Sequence, residues 1–182
     1  QTVIGHGLPI HTGGFTNNFS YKGFDLSIFF QWSYGNDVIN YNRAKLEDLR
    51  GQHTNQLASA MNHWTPRVDN GDGTYTEGNY TNYLCAVNCN LTNLNTSRVV
   101  EDASFLRLKN VQLGYNFPVK LIKRIGISSL RLYVSGQNLW TWTKYTGYDP
   151  EVSTRNSALT RGFDYSAYPK TTSYTFGIKL GL

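Results

Sequence analysis

The chain has 182 residues, a formal net charge of +5, and only 16% charged residues, against about a quarter in ordinary soluble domains. Aromatics make up 14%, with 13 Tyr, and together with abundant Asn, Thr and Gly they suit strands joined by polar loops better than helical bundles. No apolar run approaches the length of a transmembrane helix, which does not bear on a membrane β-barrel, where half of every strand is polar. Lys120, Lys123, Arg124 and Arg131 form the one basic cluster and flank an expected turn, which excludes a nucleic-acid-binding face.

In chain order, residues 1–12 read as a loop. Residues 13–20 make a first strand, with Phe15, Phe19 and Tyr21 on one parity. Tyr21-Lys22-Gly23 is a tight turn, since Gly accepts the positive φ that a short hairpin needs. In the next strand, residues 24–32, Phe24, Leu26, Ile28, Phe30 and Trp32 alternate with Asp25, Ser27, Phe29 and Gln31.

Residues 35–103 form a very long polar connection, with a short helix expected near 44–50. Connections of this length are unusual in compact domains and usually functional. Residues 104–117 are a third strand, on which Val111, Leu113, Tyr115 and Phe117 share a face. Leu106 and Leu108 lie on the other parity, so a bulge near Lys109, or protrusion above the membrane, is expected. Residues 118–129 are a shorter connection. Residues 130–142 form a fourth strand with Leu130, Leu132 and Val134 outward, and residues 143–171 a second long polar loop.

The last strand carries the cleanest pattern. Tyr174, Phe176, Ile178, Leu180 and Leu182 alternate with Thr175, Gly177, Lys179 and Gly181, giving one apolar and one polar face. A soluble sandwich would turn the apolar face to a core; a transmembrane barrel turns it to lipid. The connections decide between them. They alternate short, long, short, long, so all long loops fall on one side if the C-terminus lies on the side of the short turns. Outer-membrane barrels sort their loops this way, and the aromatics at strand ends match their interfacial girdles. The fold class expected is all-β: a transmembrane antiparallel barrel facing lipid with Tyr174, Phe176, Ile178 and Leu180 and the lumen with Thr175, Gly177 and Lys179. Five strands cannot close a barrel in lipid, so further polypeptide must complete it. The start at Gln1, without Met or signal peptide, fits a processed, truncated or partial chain.

Long motifs carry a family likeness. Val100-Glu101-Asp102-Ala103-Ser104-Phe105-Leu106-Arg107-Leu108-Lys109-Asn110-Val111-Gln112-Leu113-Gly114-Tyr115-Asn116-Phe117-Pro118 resembles the signature strand of SusC/RagA-type TonB-dependent outer-membrane transporters. Leu130-Arg131-Leu132-Tyr133-Val134-Ser135-Gly136-Gln137-Asn138-Leu139, continuing through Thr143-Lys144-Tyr145-Thr146-Gly147-Tyr148-Asp149-Pro150-Glu151, is similar to the same family, as are Gly13-Gly14-Phe15, Tyr21-Lys22-Gly23-Phe24-Asp25-Leu26-Ser27 and Tyr168-Pro169. The resemblance implies that residues 1–182 are the C-terminal part of a single barrel domain, about five of 22 strands, with the plug and earlier strands outside the chain. It implies nutrient import of glycans or peptides across the outer membrane of Bacteroidetes-type bacteria. The partners implied are a SusD-like surface lipoprotein lid, TonB acting through the absent N-terminal part, the rest of the barrel and outer-membrane lipid, with the C-terminus periplasmic. The family commonly ends on an aromatic residue, where this chain has Leu182. A barrel used as a scaffold or assembly subunit without transport, and a soluble sugar-binding sandwich, are the alternative readings.

The candidate sites are few. Cys85 and Cys89, four apart in a polar stretch, form too small a set for zinc, and a local disulfide is the better reading; free thiols, or pairing with chain absent here, are the alternatives. The sequence from Asp69 to Thr74 lacks the full calcium-loop pattern and reads as a solvated turn. His6, His11, His53 and His63 have no ligand spacing and read as loop residues, and no catalytic set, metal site or cofactor motif is present. Trp64, Tyr75, Tyr80 and Tyr83 in the first long loop, with Tyr145 and Tyr148 in the second, are candidate ligand or lid contacts, because flat rings stack on sugars and anchor interfaces; packing between the loops is their other reading. Asn18, Asn79, Asn90 and Asn95 head glycosylation sequons, uninformative in a bacterial outer membrane.

Overall fold

The computed structural model describes residues 2–49, 55–80, 96–151, 154 and 161–181. In chain order, the described strands are β1 (His11–Tyr21), β2 (Phe24–Tyr34), β3 (Asp37–Asn40), β4 (Val68–Asp69), β5 (Tyr75–Thr76), β6 (Val100–Asp102), β7 (Phe105–Asn116), β8 (Ser129–Thr143), β9 (Phe163–Asp164) and β10 (Ser173–Gly181). Two short α-helices, α1 (Tyr41–Leu46) and α2 (Val119–Ile122), and three 3-10 turns complete the set.

The long strands form one antiparallel sheet in the order β1-β2-β7-β8-β10. These are the five strands that alternation predicts: β1, β2 and β8 run a residue or two longer than expected, whereas β7 stops one residue short at each end. Register brings the apolar parities together. Phe19, Leu26, Leu113, Val134 and Phe176 line up across the five strands, and Tyr21, Phe24, Tyr115, Leu132 and Ile178 form the next row. The opposite face carries Asn18, Ser27, Gln112, Ser135 and Thr175 in one row and Ser20, Asp25, Gly114, Tyr133 and Gly177 in the next. Because a one-residue slip would reverse every face, this agreement across four ladders fixes the register strongly.

Two local devices make it possible. Lys22 and Gly23, at φ 45° and 90°, form the two-residue turn between β1 and β2, whose positive φ values match the twist of the hairpin. The expected bulge is present: Phe29 pairs with Asn110 and Phe30 with Leu108, leaving Lys109 as the extra residue. One inserted residue exchanges the parity of everything upstream. Leu106 and Leu108 thereby join the face of Val111 and Leu113, in rows with Trp32 and Trp142 and with Phe30 and Trp140.

No second sheet covers the apolar face among the described residues. Phe176 is 80% exposed and Ile178 72%, and this is not the arrangement of a sandwich. Burial is concentrated instead among the long connections, where Val38, Ala103 and Tyr145 cluster and Ala44, Ala60 and Val99 are buried. Neither connection is the structureless loop that its composition suggests. β3 from the first connection pairs antiparallel with β6 and in parallel with β9 from the second. The helix expected near 44–50 lies at Tyr41–Leu46, because Asn40 caps it by accepting the Arg43 N–H at 3.0 Å. At the other end of the sheet, α2 and a 3-10 turn, closed by Gly126 at φ 78°, fill the β7–β8 connection.

Candidate functional site

The functional geometry lies where the long connections meet the polar face of the sheet. Arg107 projects from β7 on the parity opposite Leu106 and Leu108, and only 2% of it is exposed. Its guanidinium meets Asp149 at 2.5 Å and Glu151 at 3.2 Å, both from the second long connection. Lys170 closes the ring, with Nζ 2.6 Å from Glu151, while its N–H donates to Asp149 Oδ2 at 3.1 Å. Lys109, the bulged residue, stands 3.9 Å from the same Glu151 carboxylate. An Arg buried on a strand needs such partners, since an isolated charge there would be costly. Burial pushes the Asp149 carboxyl up, but hydrogen bonds from Arg107 and from the Glu151 and Lys170 N–H groups outweigh it, leaving the group below the ordinary carboxylate range.

A second hub ties the two connections to each other. Glu101 on β6 accepts the Thr146 N–H at 2.9 Å and the Thr146 hydroxyl at 2.7 Å, and it pairs with Arg43 at 3.2 Å. Burial raises the Glu101 carboxyl and these donors overcome it, so it too lies below its ordinary value. Arg43 reaches Glu47 at 3.1 Å, and Arg98 also pairs with Glu47. Between these groups opens a cavity of about 440 Å³, walled by Leu46, Leu57, Arg43, Glu47, Gly147 and Tyr148. The Asn42 amide oxygen accepts the Ser166 N–H at 2.7 Å, while its buried nitrogen, also in the cavity wall, has no hydrogen-bond partner among the described residues.

The aromatic candidates divide. Tyr148 is 78% exposed at the rim of this cavity, and Trp64 and Tyr80 form an edge-on pair with centroids 6.3 Å apart. Tyr75 sits apart on the β4–β5 hairpin, with the Arg67 guanidinium 4.0 Å over its ring. Tyr145 is different: it is 6% exposed and donates its hydroxyl to Asp164 at 2.7 Å. Burial and the neighbouring Asp164 push that phenol well above its usual range, and the ring packs the two connections together. Tyr83, Cys85, Cys89, His53, Asn90 and Asn95 lie outside the described residues.

The sequence from Asp69 to Thr74 is a solvated turn in which Asp69 and Asp72 accept the N–H groups of Gly71 and Thr74. No group of three or more potential metal ligands occurs among the described residues. His11 is no loop residue: it opens β1, stacks on Tyr34 and accepts the Trp32 indole N–H at 3.1 Å. Sequence reasoning missed Arg107, Asp149, Glu151 and Lys170, which have no mutual spacing. The one signal was Arg107 itself, a charge inside a strand of an otherwise charge-poor chain.

No protein-family model matches the chain. Curated relatives do. TonB-dependent receptor P3 of Formosa agariphila is 37% identical over 185 residues, covering 99% of this chain and 17% of that protein. TonB-dependent receptor SusC of Bacteroides thetaiotaomicron is 34% identical over 85 residues, 44% of this chain and 8% of that protein. Among solved structures, the RagAB peptide importer in its closed-closed state matches with a TM-score of 0.71 and 30% identity, over 96% of this chain and 17% of that one. The chain thus spans about one-sixth of the length of the receptor and importer chains that it matches nearly end to end.

Proposed function

Since this chain belongs to the SusC/RagA-type TonB-dependent outer-membrane transporters, we propose that it supplies about five C-terminal wall strands of a 22-stranded barrel that imports glycan- or peptide-class nutrients. Residues 1–182 act as one part of a single barrel domain, and the remaining strands join at the free edges of β1 and β10. The C-terminus is periplasmic, and the two long connections stand at the extracellular mouth beneath a SusD-like lipoprotein lid. Energy enters from TonB through a segment outside this chain.

The observation that supports this reading is the division of one continuous antiparallel sheet into an uncovered apolar face and a face bearing a buried ion-pair ring. Lipid on one side and a polar lumen on the other satisfy both faces at once. The work of this segment is positional. Arg107 holds the second connection across the polar face through Asp149 and Glu151, and Glu101 links that connection to the first, so the mouth is a braced unit. The exposed rings Tyr148, Trp64, Tyr80 and Tyr75 are the groups free to meet a ligand or lid. They offer large contact area at small conformational cost.

The test uses the complete transporter. Tyr148→Ala and a deletion of residues 75–83 are compared with wild type for lid affinity and for uptake of labelled oligosaccharide and oligopeptide, after heat-modifiable gel mobility has shown that each barrel is assembled. A drop in lid affinity or uptake is expected. Wild-type values for both in the assembled variants would restrict these rings to packing between the loops. No uptake of either substrate class by the wild-type protein, with the lid still bound, would instead support the scaffold reading.

A further inference from the structure

On the apolar face, at the end where the long connections emerge, four neighbouring strands and the segments flanking β7 and β8 line an open cleft of about 670 Å³. Its floor is the row Trp32, Leu106 and Trp142, on β2, β7 and β8, and its rim holds His11, Asp102 and Lys144. His11, Trp32, Leu106 and Trp142 belong to the parity that carries Phe30, Leu113 and Val134, while Asp102 ends β6 and Lys144 directly follows β8, so the floor of the cleft lies on the outside of the sheet and not on the face of the ion-pair ring. It is also complete within this chain. β1, β2, β7 and β8 are contiguous, and strands added at the free edges of β1 and β10 do not cover it.

The chemistry of the cleft changes along its height. Below lie only apolar and aromatic side chains, Phe15, Phe30, Leu108 and Trp140. At the level of the cleft the indoles stand between this surface and a charged rim, as aromatic side chains do at the border of hydrocarbon and headgroups. His11 Nδ1 accepts the Trp32 indole N–H, so in the neutral ring the proton sits on Nε2, which is a donor. Lys144 adds a cation, and Asp102, held by the Ser104 N–H at 2.9 Å, adds an acceptor beside it.

We propose that this cleft binds the phosphorylated sugar headgroup of a glycolipid in the outer leaflet. The proposal rests on the membrane reading given above. The indole of Trp142 takes the sugar face, Lys144 and His11 take the phosphate, Asp102 accepts a sugar hydroxyl, and the acyl chains run down over Trp140 and Leu108. The occupant is a lipid because the floor continues without a break into the uncovered apolar face, and its headgroup is anionic because two of the three rim groups can donate to a phosphate.

The test uses the complete outer-membrane protein, purified in detergent and delipidated. Native mass spectrometry follows titration with bis-phosphorylated lipid A, with the same lipid after phosphatase treatment, and with phosphatidylethanolamine. Wild type is expected to retain one lipid A molecule at activation energies that strip the others. Trp142→Ala/Lys144→Ala should lower that retained fraction at least tenfold, whereas Phe176→Ala, on the same face but far from the cleft, should not change it; gel mobility confirms that both variants are folded. Equal retention by the cleft variant and wild type would overturn the proposal, leaving only unspecific lipid around the barrel. Equal retention of dephosphorylated lipid would overturn the headgroup assignment. A protein that remains dispersed without detergent and retains no lipid of any kind would overturn the membrane reading itself, an outcome distinct from either.

Discussion

Arg107→Met is the sharpest test of how the second long connection is held. The side chain is 2% exposed and faces Asp149, itself only 5% exposed at its side chain, so the substitution leaves a buried carboxylate without its counter-charge. Breaking a buried pair from one side typically costs about 3–5 kcal/mol. Asp149 keeps the N–H groups of Glu151 and Lys170 as donors, which places the expected cost near the lower end, about 3 kcal/mol. That corresponds to roughly a hundredfold rise in the population of undocked connection. Limited proteolysis of the assembled barrel between residues 143 and 171 reads this population directly when reclosure is fast. The second variant, Arg107→Met/Asp149→Asn, removes both charges but keeps an acceptor for only one of the two N–H groups, which bind different oxygens of Asp149, so it should recover part of the protection. Cleavage of Arg107→Met at the wild-type rate would refute the reasoning, as would a double variant cleaved as fast as the single one.

Three further outcomes follow from the same geometry. Ile178→Lys, on the apolar face, should lower barrel stability by about 2–4 kcal/mol in reversible unfolding from lipid vesicles, while Thr175→Lys, on the opposite face, should change it little; equal losses would mean that the faces are assigned wrongly. Gly177→Ala should cost about 1–3 kcal/mol through overpacking, because a Cβ there would stand 2.2 Å from the Tyr133 ring, and the loss should shrink in a Tyr133→Ala background measured by the same unfolding. Asp149 and Glu101 both lie below their ordinary carboxylate values in the folded state, so the stabilisation they give is present above the ordinary range and is lost as pH falls through the folded values. Protease protection of the second connection should therefore hold at neutral pH and decline below about pH 4; protection unchanged at pH 2 would count against these carboxylates as the braces.

The five long strands were legible in the sequence because a strand with one apolar and one polar face must alternate. β10 shows this most plainly, with Tyr174, Phe176, Ile178 and Leu180 set against Thr175, Gly177 and Lys179. The hairpin at Lys22-Gly23 and the bulge at Lys109 were legible too, the first from its turn chemistry and the second as the break in parity between Leu108 and Val111. What lay beyond sequence reasoning depends on contacts between distant segments. β3, β6 and β9 have two to four residues each, too short to show a period, and they are strands only because Ile39 meets Val100 on one side and Phe163 on the other. The buried location of Tyr145 was likewise hidden, since its partner Asp164 is 19 residues away and its neighbours look as polar as those of exposed Tyr148. Arg107 stands between the two cases. Local sequence marks it as a charge in a strand, but which carboxylates answer it is decided by the chain returning 42 residues later to lay Asp149 across the sheet, because a buried charge is tolerated only where tertiary structure delivers its partner.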